Sequence, residues 1–340
     1  MKLLRAIDAR FYAPAPAERL ATVRVLTGCF AVVYLLVRGH VLADFRVAPG
    51  AFRPVGVAAW LSAPLPPAAA FGIYLAALLA GVAFSLGLYF RWSGPAFAAL
   101  LLWVTTYRNG WGMIFHTDNL LVVHLGVLAV SDSAAVLSLD FRRRGRRPSG
   151  CEQPVPADSP AAAELGSRRQ ELPVTYPAAE QSSRRVTYPD AEPRFGWPLR
   201  LISGVTAIAY ALAAVAKLKV TGISWMDGEV LRNYIAYDAM RKSQIGSIHS
   251  PFGAWLVQFA WPFPLLSVFS MTLELAGPVC VLWRRSARVW AAGLYGFHLG
   301  VFASMAIAFP YPLSGIAFAS IFEAERLWRL PWLRDLRRWL

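Results

Sequence analysis

The sequence predicts an all-α membrane protein, a polytopic helical bundle of about eight spans, with seven to nine as the range. Of its 340 residues, 56% are hydrophobic and only 16% are charged, and the mean hydropathy is +0.44. A soluble domain of this size rarely carries so little charge. The apolar residues also form blocks of about 20, the length that crosses the ~30 Å hydrocarbon core as a helix. The 13 tryptophans and 12 tyrosines fit interfacial belts.

Apolar blocks separated by polar or basic segments define the candidate spans. The third is short and ends at Arg108, and the eighth begins with Pro310 and Pro312, so a re-entrant segment is the alternative there. The candidate spans are 20–42, 67–89, 94–107, 118–137, 198–220, 262–283, 288–308 and 311–324.

Basic residues in the loops and tails predict the orientation. They concentrate on the side of the N-terminus, for example at Arg284, Arg285 and Arg288, and are sparse on the other side. By the positive-inside rule both termini are therefore expected in the cytoplasm, without a cleaved signal peptide. The same distribution explains the net charge of +14, which otherwise invites nucleic-acid binding. We expect the lipid bilayer, and no nucleic acid, as the partner of these charges.

Composition divides the chain into four parts. Residues 1–140 form an N-terminal membrane half, 141–197 a disordered cytoplasmic loop, 198–324 a C-terminal membrane half, and 325–340 an interfacial basic amphipathic tail. The loop is rich in Pro, Arg and Ser and repeats one phrase, at 174–177 and 186–189. A linker and a docking motif for a partner both remain open for it.

Three cysteines lie far apart, two in apolar blocks and one in the polar loop, namely Cys29, Cys151 and Cys280. This spacing predicts neither a disulfide framework nor a redox pair. It also predicts no metal site.

Six polar residues lie in or beside spans, where lipid makes them costly, so they should face the bundle interior. Arg24 lies one turn into the first span and can snorkel to the interface. His124 is expected to be neutral and bonded to a carbonyl, whereas packing and function stay open for His298. Glu274 needs a partner, and Lys217 and His298 are the candidates. The six are Arg24, Asp118, His124, Lys217, Glu274 and His298.

Lys217 lies near the outer end of the fifth span, where snorkelling and function both remain open. Asp118, Asn109 and Trp225 are predicted at a similar depth. Polar groups that converge beside an apolar cavity could handle a lipid-soluble substrate. A lysine held away from water can act as a base, because its neutral form becomes accessible.

Both membrane halves contain motifs that resemble the HTTM family, the membrane module of vitamin K-dependent gamma-glutamyl carboxylase. The resemblance covers about residues 20–137 and 198–324. It implies that Lys217 is the base that deprotonates vitamin K hydroquinone. In the first half the matching motifs are Arg24–Gly28, Asn109–Gly110, Thr117–Asn119 and Ser138–Asp140. In the second half they are the ordered residues Tyr210, Lys217, Leu218, Trp225 and Gly228, and then Glu274–Gly277 followed by His298.

Two departures from the family pattern limit what the resemblance implies. The family has an asparagine–histidine pair before the fourth span, whereas this chain reads Phe115–His116–Thr117–Asp118, with Asp118 in the place of the histidine. The extracytoplasmic domain that holds the protein substrate of the carboxylase is not in this sequence. Quinone chemistry is therefore expected more firmly than gamma-carboxylation of glutamate.

The leading hypothesis is a carboxylase-like enzyme, a lyase by class, of the bacterial inner membrane that uses a reduced quinone, vitamin K hydroquinone or menaquinol. Lys217 would be the base, with Glu274, His298 and Asp118 as further catalytic residues, and Asn109, Tyr210 and Trp225 would bind the quinone. O2 and CO2 are the co-substrates that the resemblance implies.

Two other hypotheses belong to different classes of protein. In the first, the protein is a non-enzymatic membrane partner that helps to mature or export a small secreted peptide, with loop 141–197 as its docking arm. In the second it is a transporter, which the lack of paired, broken spans disfavours.

Overall fold

The computed structural model describes residues 2–43, 49–111, 117–145 and 191–339. Most of this part of the chain is helical, as the composition predicts. The helices are α1 (Lys2–Phe11), α2 (Ala17–Ala43), α3 (Pro67–Leu86), α4 (Phe90–Arg108), α5 (Thr117–Ala129), α6 (Leu139–Arg144), α7 (Pro193–Thr221), α8 (Glu229–Gln244), α9 (Pro251–Leu256), α10 (Pro262–Cys280), α11 (Arg284–Met305), α12 (Pro310–Leu313) and α13 (Pro331–Trp339).

Proline and glycine set many of the helix limits. Proline occupies the first turn of α3, α7, α9 and α10, where its missing N–H costs nothing. Gly87 ends α3 with φ +62°, and a side chain there would collide with the guanidinium of Arg24. Only glycine satisfies both the left-handed backbone and this close approach.

The two membrane halves pack into one bundle. In the first half α2 packs on α3, α3 on α4, and α4 on α5. In the second, α7 packs on α10 and α10 on α11, while α5 and α2 contact α7 and join the halves. A single buried cluster runs through both, including Phe84, Phe97 and Leu125 of the first half and Leu199 and Leu294 of the second.

Four helical segments in the described residues are long and apolar enough to cross a membrane: Ala17–Gly39, Pro67–Leu86, Pro193–Asp227 and Pro262–Cys280. Large apolar side chains such as Leu79, Leu212 and Val289 remain exposed on the outside of the bundle, as lipid contact requires. The protein is therefore membrane-embedded. The predicted count of about eight spans is not confirmed, although α4, α5 and α11 lie where further spans were expected.

The expected eighth span is not a continuous helix. It consists of α12 and a 3₁₀ turn, Ile316–Ile321, and Tyr311 and Phe318 are buried in the core. Pro310 and Pro312 restrict helix formation to one short segment, and Gly315, with φ +75°, turns the chain after it.

The predicted cytoplasmic loop 141–197 lies mostly outside the described residues, including both copies of its repeated phrase. Its described ends are ordered: α6 reaches Arg144, and α7 begins at Pro193 rather than at 198. Between them, Ala191–Glu192 (β2) pairs antiparallel with Ala15–Pro16 (β1). The loop therefore leaves and enters the bundle at fixed points.

The predicted tail 325–340 begins inside the bundle. Trp328, expected at the interface, is buried, and its Nε1 donates to Thr22 Oγ1 at 2.6 Å. Arg19 donates to both carboxylate oxygens of Glu325, at 2.9 and 2.6 Å. Exposed apolar and basic residues, as expected of an interfacial segment, include Arg326, Leu327 and Leu330 before α13 and Trp332 and Leu336 within it.

The segment between α7 and α10, expected to be an outer connection, is largely helical. A 3₁₀ turn, Gly222–Asp227, leads into α8, and α9 follows. Gly228 joins the turn to α8 with φ +86°, and a side chain there would collide with the backbone of Phe263 and Pro264. This tight passage fixes the 3₁₀ turn against the start of α10. Trp225 within the turn packs with Ala214 of α7 and Met271 of α10.

Candidate functional site

Lys217 and Glu274 form an ion pair in the C-terminal membrane half. The Lys217 Nζ of α7 donates to both carboxylate oxygens of Glu274 on α10, at 2.7 and 2.6 Å. The Glu274 side chain is 4% exposed and that of Lys217 is 25% exposed. The pairing meets the expectation that neither charge stands alone in the membrane.

Two aromatic rings complete the surroundings of the ammonium. The Lys217 Nζ lies 5.2 Å from the centroid of the Trp225 ring and 6.0 Å from that of Phe297. Both distances fall in the range of cation–π contacts. Trp225 is buried, and its Nε1 has no hydrogen-bond partner in the described part of the chain. An indole N–H is a donor only, so a ligand oxygen could satisfy it.

Lys217 and Trp225 lie on the wall of a cavity of about 640 Å³, a volume typical of small-molecule sites. The remaining wall is almost wholly apolar, with few polar groups besides Lys217 and the Ser270 hydroxyl. The lining residues from the helices are Leu231, Tyr234 and Ile235 of α8, Phe252 and Leu256 of α9, Pro262, Leu266, Phe269 and Ser270 of α10, and Gly296, Phe297, Gly300, Val301, Ser304 and Met305 of α11.

Tyr210 and His298 form a second polar pair behind this wall. The Tyr210 hydroxyl and His298 Nε2 are 2.6 Å apart, and the rings of Phe297 and Phe309 flank the imidazole. Tyr210 lies two turns before Lys217 on the same face of α7. The pair thus supports the helices that carry the ion pair, but neither residue lines the cavity.

Asp118 and Asn109 were expected beside Lys217, and the structure places them elsewhere. Asp118 accepts a hydrogen bond from Tyr34 at 2.7 Å, next to Arg38 and Arg108. Asn109 begins a buried 3₁₀ turn after α4. The polar and ring contacts of the Lys217 side chain within the described residues are with Glu274, Trp225 and Phe297. Of the residues predicted to converge, Trp225 contacts Lys217, whereas the contact of Asp118 is with Tyr34.

Two further polar residues have structural partners. His124 was expected to bond a carbonyl; it has a backbone hydrogen bond with Ile202, and its ring nitrogens also contact two hydroxyls, Tyr311 at 2.8 Å and Thr206 at 3.0 Å. Arg24 does not snorkel: it is fully buried and donates from Nη2 to the Leu137 carbonyl. Both residues connect elements of the bundle.

Sequence reasoning missed most of the cavity wall. Leu231, Tyr234 and Ile235 have the spacing of one helix face, which could have identified α8. Ser270 lies one turn before Glu274 and could have been placed on the same face of α10. No group of three His, Cys, Asp or Glu residues converges within the described ranges 2–43, 49–111, 117–145 and 191–339.

The fold and the site define a class: a helical membrane protein with a buried lysine–glutamate pair at the wall of an apolar cavity. No protein-family model, curated protein or solved structure matches this chain.

Proposed function

We propose that the protein is a membrane enzyme that binds a reduced quinone in the apolar cavity and accepts a proton from it at Lys217. The observation that carries the proposal is the Lys217–Glu274 pair at the cavity wall. An ionisable pair inside a membrane protein is costly, and such groups mark proton relays and substrate paths.

The ion pair explains how a lysine could accept a proton there. An ammonium cannot accept one, so its own proton must first move, and Glu274 lies 2.6 Å from Nζ. Transfer to the carboxylate leaves a neutral amine and a neutral acid. An apolar, low-dielectric site narrows the free-energy gap between these neutral forms and the ion pair. The amine then takes the proton of a hydroxyl group in the cavity.

The composition of the cavity wall supports a lipid-soluble aromatic alcohol as the substrate. Trp225 offers an N–H donor next to the amine that has no partner among the described residues, which suits a ligand oxygen. The apolar lining from Phe252, Leu256 and Phe269 suits a hydrocarbon ring and chain. A reduced quinone combines an acidic hydroxyl, a second oxygen and an apolar chain.

The choice of a quinone as substrate, and of O2 and CO2 as co-substrates, rests on the resemblance to the HTTM family. His298 and Tyr210 enter it as supporting residues, and Asp118 no longer belongs to the reacting group. The alternative, a partner for maturing a small secreted peptide, rests on loop 141–197. No described contact favours it.

We also propose a bacterial inner-membrane location with both termini in the cytoplasm. Arg284 and Arg326 lie at the bundle end where α2 and α11 begin, joined through Glu323, and basic residues mark the cytoplasmic end. In a variant without native cysteines, an impermeant thiol reagent should label Ser247→Cys, between α8 and α9, in intact cells. Ser286→Cys should label only after lysis. The reverse pattern contradicts this orientation.

The function is tested by incubating purified protein with reduced quinones, with and without O2. We expect O2-dependent formation of quinone or epoxide above the rate without enzyme. Ser270→Leu adds bulk to the cavity wall and should raise the quinone concentration needed for half-maximal rate, whereas Ser286→Leu, outside the cavity, should not. Turnover that is equal with boiled protein would refute the proposal.

A further inference from the structure

A second site lies at the bundle end where α2 and α11 begin. Three arginines, here called the arginine cluster, surround the single carboxylate of Glu323: Arg284, Arg288 and Arg326. One carboxylate cannot neutralise three guanidinium groups, so the cluster keeps excess positive charge. The nearby Arg19 pairs with Glu325.

The arginine cluster retains capacity to bind a ligand. Arg288 Nη2 is 3.5 Å from Glu323 Oε1, a long ion pair, and its Nε has no hydrogen-bond partner within the described residues. The side chains of Arg284 and Arg326 are more than half exposed. Guanidinium groups bind phosphate through paired hydrogen bonds, so a phosphate would fit donors that Glu323 leaves unused.

An apolar groove of about 480 Å³ adjoins the cluster, with Glu323 and Arg326 at its polar edge. Leu26 of α2 forms one side of the groove. The other side comes from the segment between α12 and α13. Its apolar lining there consists of Ile316, Ala319, Phe322, Ala324, Leu327 and Leu330.

An exposed aromatic residue places this end of the bundle at headgroup level. Trp283, just before α11, is half exposed, and Arg10 stacks over its ring at 5.2 Å. Tryptophan and arginine together are typical of the membrane–water interface. A groove that opens there meets the headgroup and the start of the acyl chains of the same lipid.

We propose that this site binds an anionic phospholipid, with its phosphate at the arginine cluster and an acyl chain in the groove. The excess positive charge selects an anionic over a zwitterionic lipid, since a net negative headgroup neutralises the cluster. The groove favours a lipid over a soluble phosphate, because a soluble phosphate has no acyl chain to pack against Leu26 or Phe322. The site does not depend on the function proposed for Lys217.

The test is native mass spectrometry of the purified full chain with phosphatidylglycerol or phosphatidylcholine, supported by thermal unfolding in the same mixtures. We expect phosphatidylglycerol to remain bound and to raise the unfolding temperature, and phosphatidylcholine to do neither. The double variant Arg284→Gln/Arg288→Gln leaves Arg326 to pair with Glu323. It should weaken phosphatidylglycerol binding roughly tenfold or more, because each basic side chain adds attraction to anionic lipid.

Two further measurements keep the test decisive if that variant folds poorly. Arg241→Gln, an exposed ion-paired arginine on α8, should leave lipid binding unchanged. Leu327→Trp, which narrows the groove, should weaken phosphatidylglycerol binding but not the effect of glycerol phosphate. Equal binding of both lipids, equal stabilisation by glycerol phosphate and by lipid, or equal loss in Arg241→Gln would each overturn the proposal.

Discussion

Arg24 and Lys217 are both basic residues inside apolar helices, and their surroundings differ. Arg24 is 0% exposed, its guanidinium donates to the Leu137 carbonyl, and it lies 5.7 Å from the centroid of the Phe90 ring. The Lys217 side chain is 25% exposed and pairs with another titratable group beside a cavity. Burial alone therefore does not separate a structural cation from a functional one.

What separates the two residues is access to a ligand and a partner that can take a proton. A backbone carbonyl fixes a guanidinium and cannot relay its proton, and a guanidinium stays charged. A carboxylate can exchange a proton with an amine. This contrast predicts that substitutions at Lys217 and Glu274 change activity first, whereas substitutions at Arg24 change stability.

The largest effect is expected for Lys217→Arg. Arginine keeps the charge and much of the length but has no usable neutral form, so the loss of a general base should lower the rate by about 10²–10⁴-fold. The unfolding temperature should stay near that of the wild type. Both are measured in the reduced-quinone assay and by thermal unfolding in detergent.

Lys219→Arg is the matched control for that variant. Lys219 is exposed and lies about 200° round α7 from Lys217, so its substitution should be tolerated. Full activity in Lys217→Arg, or the same loss in both variants, would show that Lys217 is not a catalytic base and only reaches the membrane interface.

Glu274→Gln should have the next largest effect on the rate. The amide oxygen still accepts a hydrogen bond from Lys217 Nζ, but the group no longer takes up its proton. We expect a loss of roughly 10²-fold, the lower end for removal of an acid–base group. Ser270→Ala, one turn earlier on α10, should retain activity, since its hydroxyl bonds only the Ser267 carbonyl among the described residues. Wild-type rates in Glu274→Gln would contradict the relay.

Arg24→Met should behave in the opposite way. It leaves the buried Leu137 carbonyl without its donor, which should cost about 1–3 kcal/mol of unfolding free energy. Activity per folded molecule should be unchanged. The control is Arg143→Met, whose arginine stacks on Tyr89 at the surface and should change stability by less than about 0.5 kcal/mol. A catalytic defect in folded Arg24→Met would remove the distinction between the two cations.

The same contrast explains which parts of the site could be predicted from the sequence. Hydropathy located α2, α3, α7 and α10, and the cost of an unpaired charge made Lys217 a candidate partner for Glu274. Hydropathy and basic residues report position along the membrane normal only. They say nothing of position around the bundle, so Asp118 was expected near Lys217 but lies with Tyr34.

The covering helices α8 and α9 were missed for another reason. Both are shorter than a membrane span: α8 mixes polar with apolar residues, and α9 has only six residues, so their helical nature depends on packing over the cavity rather than on hydropathy. The eighth span was predicted from its apolar composition, but its prolines prevent a continuous helix there.

Tyr210→Phe should have the smallest effect, and it tests whether the pair behind the cavity wall reacts or supports. Its hydroxyl contacts His298 Nε2 at 2.6 Å. Its loss should cost about 1 kcal/mol of stability. Activity should change by no more than roughly fivefold, because about 1 kcal/mol of lost positioning corresponds to that factor in rate. Tyr295→Phe, on α11, makes the same change at a partly exposed position and should alter neither quantity.

A loss in Tyr210→Phe that approaches that of Lys217→Arg would show that the hydroxyl touches the reacting atoms. The cavity would then have to extend behind Phe297, and His298 would become a catalytic residue beside the amine.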